Sequence, residues 1–338
     1  MDSFSASLSK LEAIANTAFR LILLSLLLVL VNFSLKVNAQ TWPSKPVKLI
    51  VGFSAGGPTD LIARGFGDYA AHELGQPLII DNKPGANTII AAEAVASSND
   101  GHTLLIAATN HTMIPALYQS RVKFDAIKSF KPICTFAIAP TVLVIRPSLK
   151  IRTLTQFIQY AKNSPNSLTY GTPGIGSSVH FASESFTKLA GIKLTHIPYK
   201  GASQVISDLL ANQLDASFAS LGSVLQQIKS GRLIALAIAS PERSSLLPEI
   251  PTFKESGLGK YSADAWYGML APANIPSDVL QTLEKVALAY VALPSTHEKL
   301  HLLGLEPQAI CGAAFAKQIT SEVKMYSQLA KQLNLTIE

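Results

Sequence analysis

Two short segments carry the residue types that hold an anion without a charged side chain. Ser54-Ala-Gly-Gly-Pro58 follows the apolar run Val47-Lys-Leu-Ile-Val-Gly-Phe53, and Gly171-Thr-Pro-Gly-Ile-Gly176 follows Leu168-Thr-Tyr170. Each turn lies between a strand pattern and a helical pattern, so each sets a helix N-terminus beyond the carboxyl end of a strand. That terminus carries N–H groups with no intrahelical acceptor and the positive end of the helix dipole. Glycine lets a ligand approach the backbone, and the combination binds carboxylate or phosphate. Thr59 reads as the N-cap of the first helix, and Ser177 and Ser178 as caps of the second. Asp60 stands in a first helical turn, where the dipole favours an acid and where it repels an anionic ligand unless a partner screens it.

A third motif points to different chemistry. His297-Glu-Lys-Leu-His301 has the H-E-x-x-H spacing that puts two histidines on one helical face, as zinc requires. It sits between Leu293-Pro294 and Leu302-Leu-Gly304, and no glycine and third histidine follow at the spacing of the larger zinc-protease families. A zinc hydrolase using His297, Glu298 and His301 is therefore the lesser alternative. No nucleophile elbow, Walker loop or paired-cysteine motif occurs, and Gly171–Gly176 lacks dinucleotide-loop spacing. Neither a catalytic residue nor a cofactor or metal is expected.

The elements that must position these turns alternate along the chain. Strand patterns at 47–53, 78–80 and 103–107 alternate with helical patterns at 59–74 and 89–96. A strand at 142–145 opens a second cycle, with helices at 154–162, 177–189 and 202–210 and strands at 168–170, 194–199, 216–218 and 233–239. A strand at 266–270 and helices near 279–292 and 313–333 end it. Such alternation predicts doubly wound α/β sheets. In open α/β sheets the ligand crevice lies at the carboxyl ends of the strands, where both turns fall.

A chain of 338 residues exceeds one ordinary core and suits two lobes. With 48% hydrophobic and 15% charged residues it is globular rather than disordered. The net charge of +6 favours anionic partners, but there is no long basic run and no zinc-finger or RNP pattern, so no nucleic acid is expected. Near the N-terminus, Arg20 precedes the apolar run Leu21–Leu35, and Val37-Asn-Ala39 stands before Gln40. The run is about fifteen residues, short of the roughly 20 that a membrane span needs. It reads as a secretory signal peptide over 1–39, cleaved near Ala39, which places the mature protein in the periplasm. Cys134 and Cys311 can pair in an exported chain, and nothing in the sequence brings them together.

At the two turns, and collinearly from Trp42 almost to the end, the sequence resembles the Bug-type solute-binding proteins, the extracytoplasmic receptors of tripartite tricarboxylate transporters. The carrying residues are Trp42-Pro-Ser-Lys-Pro46, Gly52-Phe-Ser-Ala-Gly-Gly-Pro-Thr-Asp60 with Arg64, Leu74-Gly-Gln-Pro77, Asn82-Lys-Pro-Gly-Ala86 and Asp100-Gly-His-Thr-Leu-Leu105. In the second half they are Tyr170-Gly-Thr-Pro-Gly-Ile-Gly-Ser177 with His180, His196-Ile-Pro-Tyr-Lys-Gly201, Asp215 with Phe218, Leu247-Pro-Glu-Ile-Pro-Thr252, Trp266-Tyr-Gly268 and Ala271-Pro272.

The resemblance implies a type II periplasmic-binding-protein fold, with two doubly wound α/β lobes joined by two crossover strands. One lobe comprises 41–141 and 263–338, and the other 142–262. It implies a small organic anion, a carboxylate held in the interlobe cleft by backbone N–H groups and water, with membrane permease subunits or a sensor kinase as partners of a monomer. Carried over by position, the ligand residues are Phe53, Ser54, Ala55, Gly56, Gly57, Thr59 and Asp60 in the first lobe. In the second they are Thr172, Gly176, Ser177 and His180, with Asp215 as an acid near the cleft that orders waters or recognises an amino or hydroxyl group. Thr109 and Asn110 follow the strand ending at Ala107. His180 also reads as a structural hydrogen-bonding residue. The chain departs from the family at Gly52 and Ala55, where proline is usual, and at Asn87, where glycine is usual.

Overall fold

The computed structural model describes residues 17–25, 42–118, 121–199, 201–259, 261, 263–333 and 335. Residues up to Ser44 form a separate unit, of which 17–25 are helical. The rest of the expected signal peptide, including Ala39, lies outside the described residues. Among those residues no helix is long and apolar enough to cross a membrane.

From Lys45 onward the chain builds two α/β lobes. The first begins with β1 (Val47–Val51), α1 (Pro58–Leu74), β2 (Leu78–Asn82), α2 (Ile89–Ala96), β3 (Thr103–Ala108), α3 (Asn110–Leu117) and β4 (Phe130–Ala139). The chain crosses at Pro140 into β5 (Thr141–Ile145), α4 (Leu154–Asn163), β6 (Thr169–Thr172), α5 (Ser178–Ala190), β7 (Thr195–Pro198), α6 (Ala202–Leu210), β8 (Ala216–Ser220), α7 (Leu221–Lys229) and β9 (Ile234–Ile238). It crosses back to β10 (Ala265–Pro272), α8 (Ser277–Ala292), α9 (Pro294–Leu302), β11 (Glu306–Pro307) and α10 (Gly312–Leu333). The sheets run β11-β4-β10-β3-β1-β2 and β7-β6-β8-β5-β9. β1 pairs in parallel with β2 and β3, while β10 is antiparallel to β3 and β4. In the second sheet β6 is parallel to β7 and β8, and β5 antiparallel to β8 and β9.

The apolar patterns explain why these segments form layers. Every residue of β3 and of β5 is buried, as expected of central strands covered on both faces. Helices cover those faces with one apolar stripe each. Phe66 packs against Phe136 and Tyr290 in the first lobe. Phe186, Phe218, Phe253 and Tyr261 cluster in the second. At the end of α1, Gly75 takes the left-handed conformation, φ 68°, which a side chain disfavours.

The two crossings are tied together. Thr141 Oγ1 donates to Ala263 O at 2.9 Å, and Ala239 N–H to Thr141 O at 2.7 Å. Oδ1 of Asp264 accepts from Thr141 N–H at 3.2 Å and from Ser240 Oγ at 2.8 Å. Burial pushes the Asp264 carboxyl up to about 6, against the lowering effect of those two bonds. The folded protein thus keeps a proton that the unfolded chain releases near 3.8. This contribution to stability is complete below 3.8 and fades as the pH rises through about 6. Asp264→Asn, which keeps the Oδ1 acceptor, is expected to gain melting temperature over the parent at pH 7 and little or none at pH 4. Melting curves across that range check it, and parallel curves refute it.

The last helix joins the lobes. Cys311, at its start, is disulfide-bonded to Cys134 of β4, with Cα atoms 4.0 Å apart, which answers the pairing question that the sequence left open. Further along α10, Glu322 accepts from Thr112 Oγ1 of α3 at 2.9 Å and from Trp266 Nε1 of β10 at 2.8 Å. Beyond it Tyr326 meets Phe181 of α5 edge-on, with centroids 5.2 Å apart, and Gln332 accepts from Lys188. α10 is therefore fastened to the first lobe and rests on the second.

Candidate functional site

The first turn is built by the strand-to-helix change at β1. Gly57 is the N-cap of α1 in an extended conformation, and Pro58 takes the first helical position, where its missing N–H costs nothing. This corrects the reading of Thr59 as N-cap: it occupies the second helical position. Leu61 N–H bonds to Gly57 O at 3.0 Å, so the N–H groups of Thr59 and Asp60 have no intrahelical acceptor.

Asp60 is the brace of this turn. Its side chain is 1% exposed. Oδ2 accepts from Gly56 N–H at 2.9 Å and from Arg64 Nε at 2.9 Å, and Oδ1 from Asn82 Nδ2 at 3.0 Å. Burial works to raise its pKa, but the bonds from Arg64, Gly56 and Asn82 outweigh it and hold the carboxyl below the ordinary value. The charge that would repel an anion is thus screened from within the turn. Gly56, at φ 84°, aims its N–H at Asp60, so that donor is spent on shape rather than on ligand. Asn82 Nδ2 also donates to Phe53 O at 3.0 Å, fixing the other side of the loop.

A cavity of about 550 Å³ opens in front of this turn, lined by Phe53, Ser54, Ala55, Gly57, Pro58, Thr59, Ala108, Thr109, Asn110, Ala265 and Tyr267. It stands at the carboxyl ends of β1 and β3 and the entry to β10. Among the described residues no lysine or arginine lines it, so an anion there meets hydroxyls and backbone donors. Thr109 is buried and locked to the crossover strand: its N–H donates to Trp266 O at 3.1 Å and its Oγ1 accepts from Trp266 N–H at 2.7 Å. Asn110 Nδ2 donates to Asn87 O at 3.0 Å and Thr88 Oγ1 at 2.7 Å. Tyr267 and Ala265 were not among the residues expected here. The Trp266-Tyr-Gly268 motif contains Tyr267 and adjoins Ala265, but only the sheet order shows that β10 runs beside β3.

Two of the three departures from the family pattern meet at this wall. Asn87 has φ 51°, a left-handed conformation that glycine adopts freely and asparagine tolerates. A Cβ on Gly52 would lie 2.5 Å from Thr88 Cβ. Gly52 therefore makes room for Thr88, whose hydroxyl holds Asn110. No contact explains Ala55.

The second turn is shaped by a pair of stacked histidines, His180 buried and His196 half-buried. Ser177 caps α5 as expected, its Oγ accepting from His180 N–H at 3.2 Å and donating to Gly174 O at 2.7 Å. His180 Nδ1 accepts from Gly176 N–H at 3.1 Å, and its ring stacks on His196 at 4.4 Å. Burial first, and the neighbouring His196 second, lower its pKa to about 4, so it stays neutral and keeps the lone pair that Gly176 needs. Thr172 has no exposed surface, and its Oγ1 lies 2.7 Å from His196 Nε2. Thr172, Gly176 and His180 thus form the turn, while Ser178 and Val179 carry the N–H groups of α5 without intrahelical acceptors. None of Thr172, Gly176, Ser177 or His180 lines the first-lobe cavity.

Asp215 requires a correction. It was expected near the cleft. It immediately precedes β8, and because β6 and β8 are parallel it lies at the amino end of both, opposite the turn that follows Thr172. Its carboxylate is fully engaged: Oδ1 accepts from Arg146 Nε and Nη2 at 2.7 Å, and Oδ2 from Thr169 N–H at 2.8 Å and Oγ1 at 2.9 Å. It fastens the strand starts. In the zinc-like motif, His297 Nε2 lies 2.8 Å from Val291 O and His301 Nε2 3.1 Å from Glu306 Oε2. Among the described residues no three His, Cys, Asp or Glu side chains converge as metal ligands would.

A family model described as tripartite tricarboxylate transporter family receptor matches residues 62–335. A UPF0065 protein of Bordetella pertussis is 38% identical over 273 residues, covering 80% of this chain and 84% of that one. Among solved structures, Rpa4515 of R. palustris, with adipate, is 28% identical with a TM-score of 0.71 over 88% of this chain and 100% of that one. MatC of Rhodopseudomonas palustris, with bound malate, is 26% identical with a TM-score of 0.66 over 85% and 99%. The motifs, the two-lobed fold and these matches agree: the chain belongs to the tripartite tricarboxylate transporter family of receptors.

Proposed function

We propose that this protein is an exported periplasmic receptor that closes two lobes over a small carboxylate, delivers it to the membrane permease subunits of a tripartite tricarboxylate-type transporter, and catalyses no reaction. The observation that carries this reading is the first-lobe turn. Backbone N–H groups of a helix start face a cavity of about 550 Å³ lined by neither lysine nor arginine among the described residues, and the one carboxylate in the turn is bonded to three donors of its own. Such a site favours an anion through oriented dipoles. The second turn offers a like helix start from the other lobe, and closure brings the two onto one ligand. The adipate and malate held by the two R. palustris proteins support a carboxylate. A zinc hydrolase is not favoured, because the Nε2 atoms of His297 and His301 are already engaged. The leader is removed near Ala39 and the receptor works as a monomer.

The test is thermal melting of residues 40–338 against dicarboxylates, tricarboxylates, acidic amino acids, aromatic acids and neutral controls. A ligand at about a hundred times its Kd adds roughly 2.7 kcal/mol to the folded state, which a melting curve resolves. One class of acid is expected to raise the melting temperature. Flat curves across every acid, with no small acid released on denaturation, sink the reading.

A further inference from the structure

Away from the ligand turns the lobes meet at a second polar seam. Glu306, in β11 at the edge of the first sheet, pairs with Ile138 of β4. Its carboxylate reaches across to the second lobe. Oε1 accepts from Ser244 Oγ at 2.6 Å, Ser245 N–H at 2.9 Å and Ser245 Oγ at 3.0 Å, and Oε2 lies 3.0 Å from the same hydroxyl. His301 of α9 backs it from the first-lobe side, with Nε2 3.1 Å from Oε2.

The two serines lie in a loop tied to the second lobe. Arg243 beside them binds both oxygens of Glu255, at 3.0 and 2.9 Å, and donates to Pro248 O at 2.9 Å. Leu247 packs in that lobe's core. Alongside, the backbones touch: a Cβ on Gly304 of the first lobe would lie 2.1 Å from Gly222 Cα of α7, and one on Gly222 would lie 2.7 Å from Leu303 O. A cavity of about 390 Å³ at this seam is also lined by Pro140 and Ser240, one from each crossing. The seam therefore stands beside the hinge.

We infer that this seam is the fulcrum of lobe closure and that Glu306 is a positioning residue for ligand capture. The inference rests on the receptor reading above. Points beside a hinge axis move least when two bodies rotate, and a carboxylate holding four contacts to one loop resists sliding in a way that the apolar Phe181–Tyr326 contact does not. With the fulcrum fixed, the two anion-binding turns approach along one path. Without it the lobes reach many arrangements in which the turns do not face each other, and binding carries the cost of selecting one.

The experiment uses the ligand-free protein with spin labels on Lys128→Cys of the first lobe and Lys162→Cys of the second, and reads the interlobe distance distribution by pulsed EPR. Glu306→Ala is expected to broaden it. Glu306→Gln, which keeps an oxygen for Ser244 and Ser245, is expected to stay near the parent, and Ser244→Ala with Ser245→Ala to reproduce the broadening from the other side. With a carboxylate found by melting, the alanine variants lose affinity on the order of tenfold, within the usual range of coupling between remote sites, and the glutamine variant largely retains it. Unchanged distributions in the alanine variants overturn the fulcrum. If Glu306→Ala does not fold, the serine pair decides. Because the distance readout needs no ligand, a failed carboxylate screen defeats the receptor reading without touching this result.

Discussion

Cys134→Ala with Cys311→Ala will melt well below the parent protein. The bond spans a sequence separation of 177 residues, and loop-closure entropy at that length places its contribution at about 5 kcal/mol. On the average unfolding entropy per residue this is roughly 7–8 °C. Cys134 is fully buried, so the lost sulfur also leaves a void. The effect reaches the site as well, because the bond anchors the start of α10, and Glu322 on that helix holds Thr112 of α3 and Trp266 of β10. Those two residues frame Thr109 and Asn110 at the cavity wall. Calorimetry with and without reductant checks it: reduced parent protein should fall most of the way to the double variant, which melts lower by the cost of the void. If oxidised and reduced parent melt together, the bond does not support the fold.

Asp60→Ala has the larger consequence for binding. The substitution removes at once the acceptor of Gly56 N–H, Asn82 Nδ2 and Arg64 Nε. Arg64 is half exposed and Gly56 exposed, so both rehydrate, and Asn82 Nδ2 keeps Phe53 O; the cost is that of the lost bonds, about 1–2 kcal/mol of stability. The loop loses the contact that sets the direction of its backbone, and carboxylate affinity should fall by at least about tenfold, roughly 1.4 kcal/mol. Titration calorimetry with the acid identified by melting measures this. A variant that loses stability but binds as tightly as the parent shows that Phe53–Gly57 is ordered by something else. In the parent, the lowered pKa of Asp60 means that its contribution is complete above the ordinary carboxylate value and is lost only as the pH falls below it.

The sequence disclosed the turns because their chemistry is local. A strand, a glycine-bearing break and a helix start are each visible in a few consecutive residues, and the structure has both turns where the motifs stand. Element type was legible in the same way for β1, β3, α1 and α5. β4 was not read at all. It contains Pro132, which argues against a strand in a linear reading, yet the proline sits opposite Leu270 at an irregularity in the pairing with β10, where no regular ladder bond is required. Asp215 was misplaced for a related reason. Which end of a sheet a residue occupies depends on strand direction and register, and both are settled by partners far away in sequence. Thr59 carries the residue type of a cap, but proline fits the first helical position and so moves the cap back to Gly57. The roles of His301 and Glu306 were out of reach, since Ser244 and Ser245 lie in another lobe and no periodicity links them.

Synthesis from the N-terminus delivers the strands in an order that the first sheet cannot use at once. β1, β2, β3 and β4 emerge early, but β4 and β3 are not neighbours: β10, at residues 265–272, lies between them. The second lobe, by contrast, has all five of its strands within 141–238. A growing chain can therefore complete the second sheet while the first still exposes the edge of β3 and an unpaired β4. Only when β10 arrives does the first sheet close, and only after Cys311 follows can the disulfide seal it. The half of the molecule that begins first is the half that finishes last, and during that interval it carries open strand edges of the kind that invite mispairing.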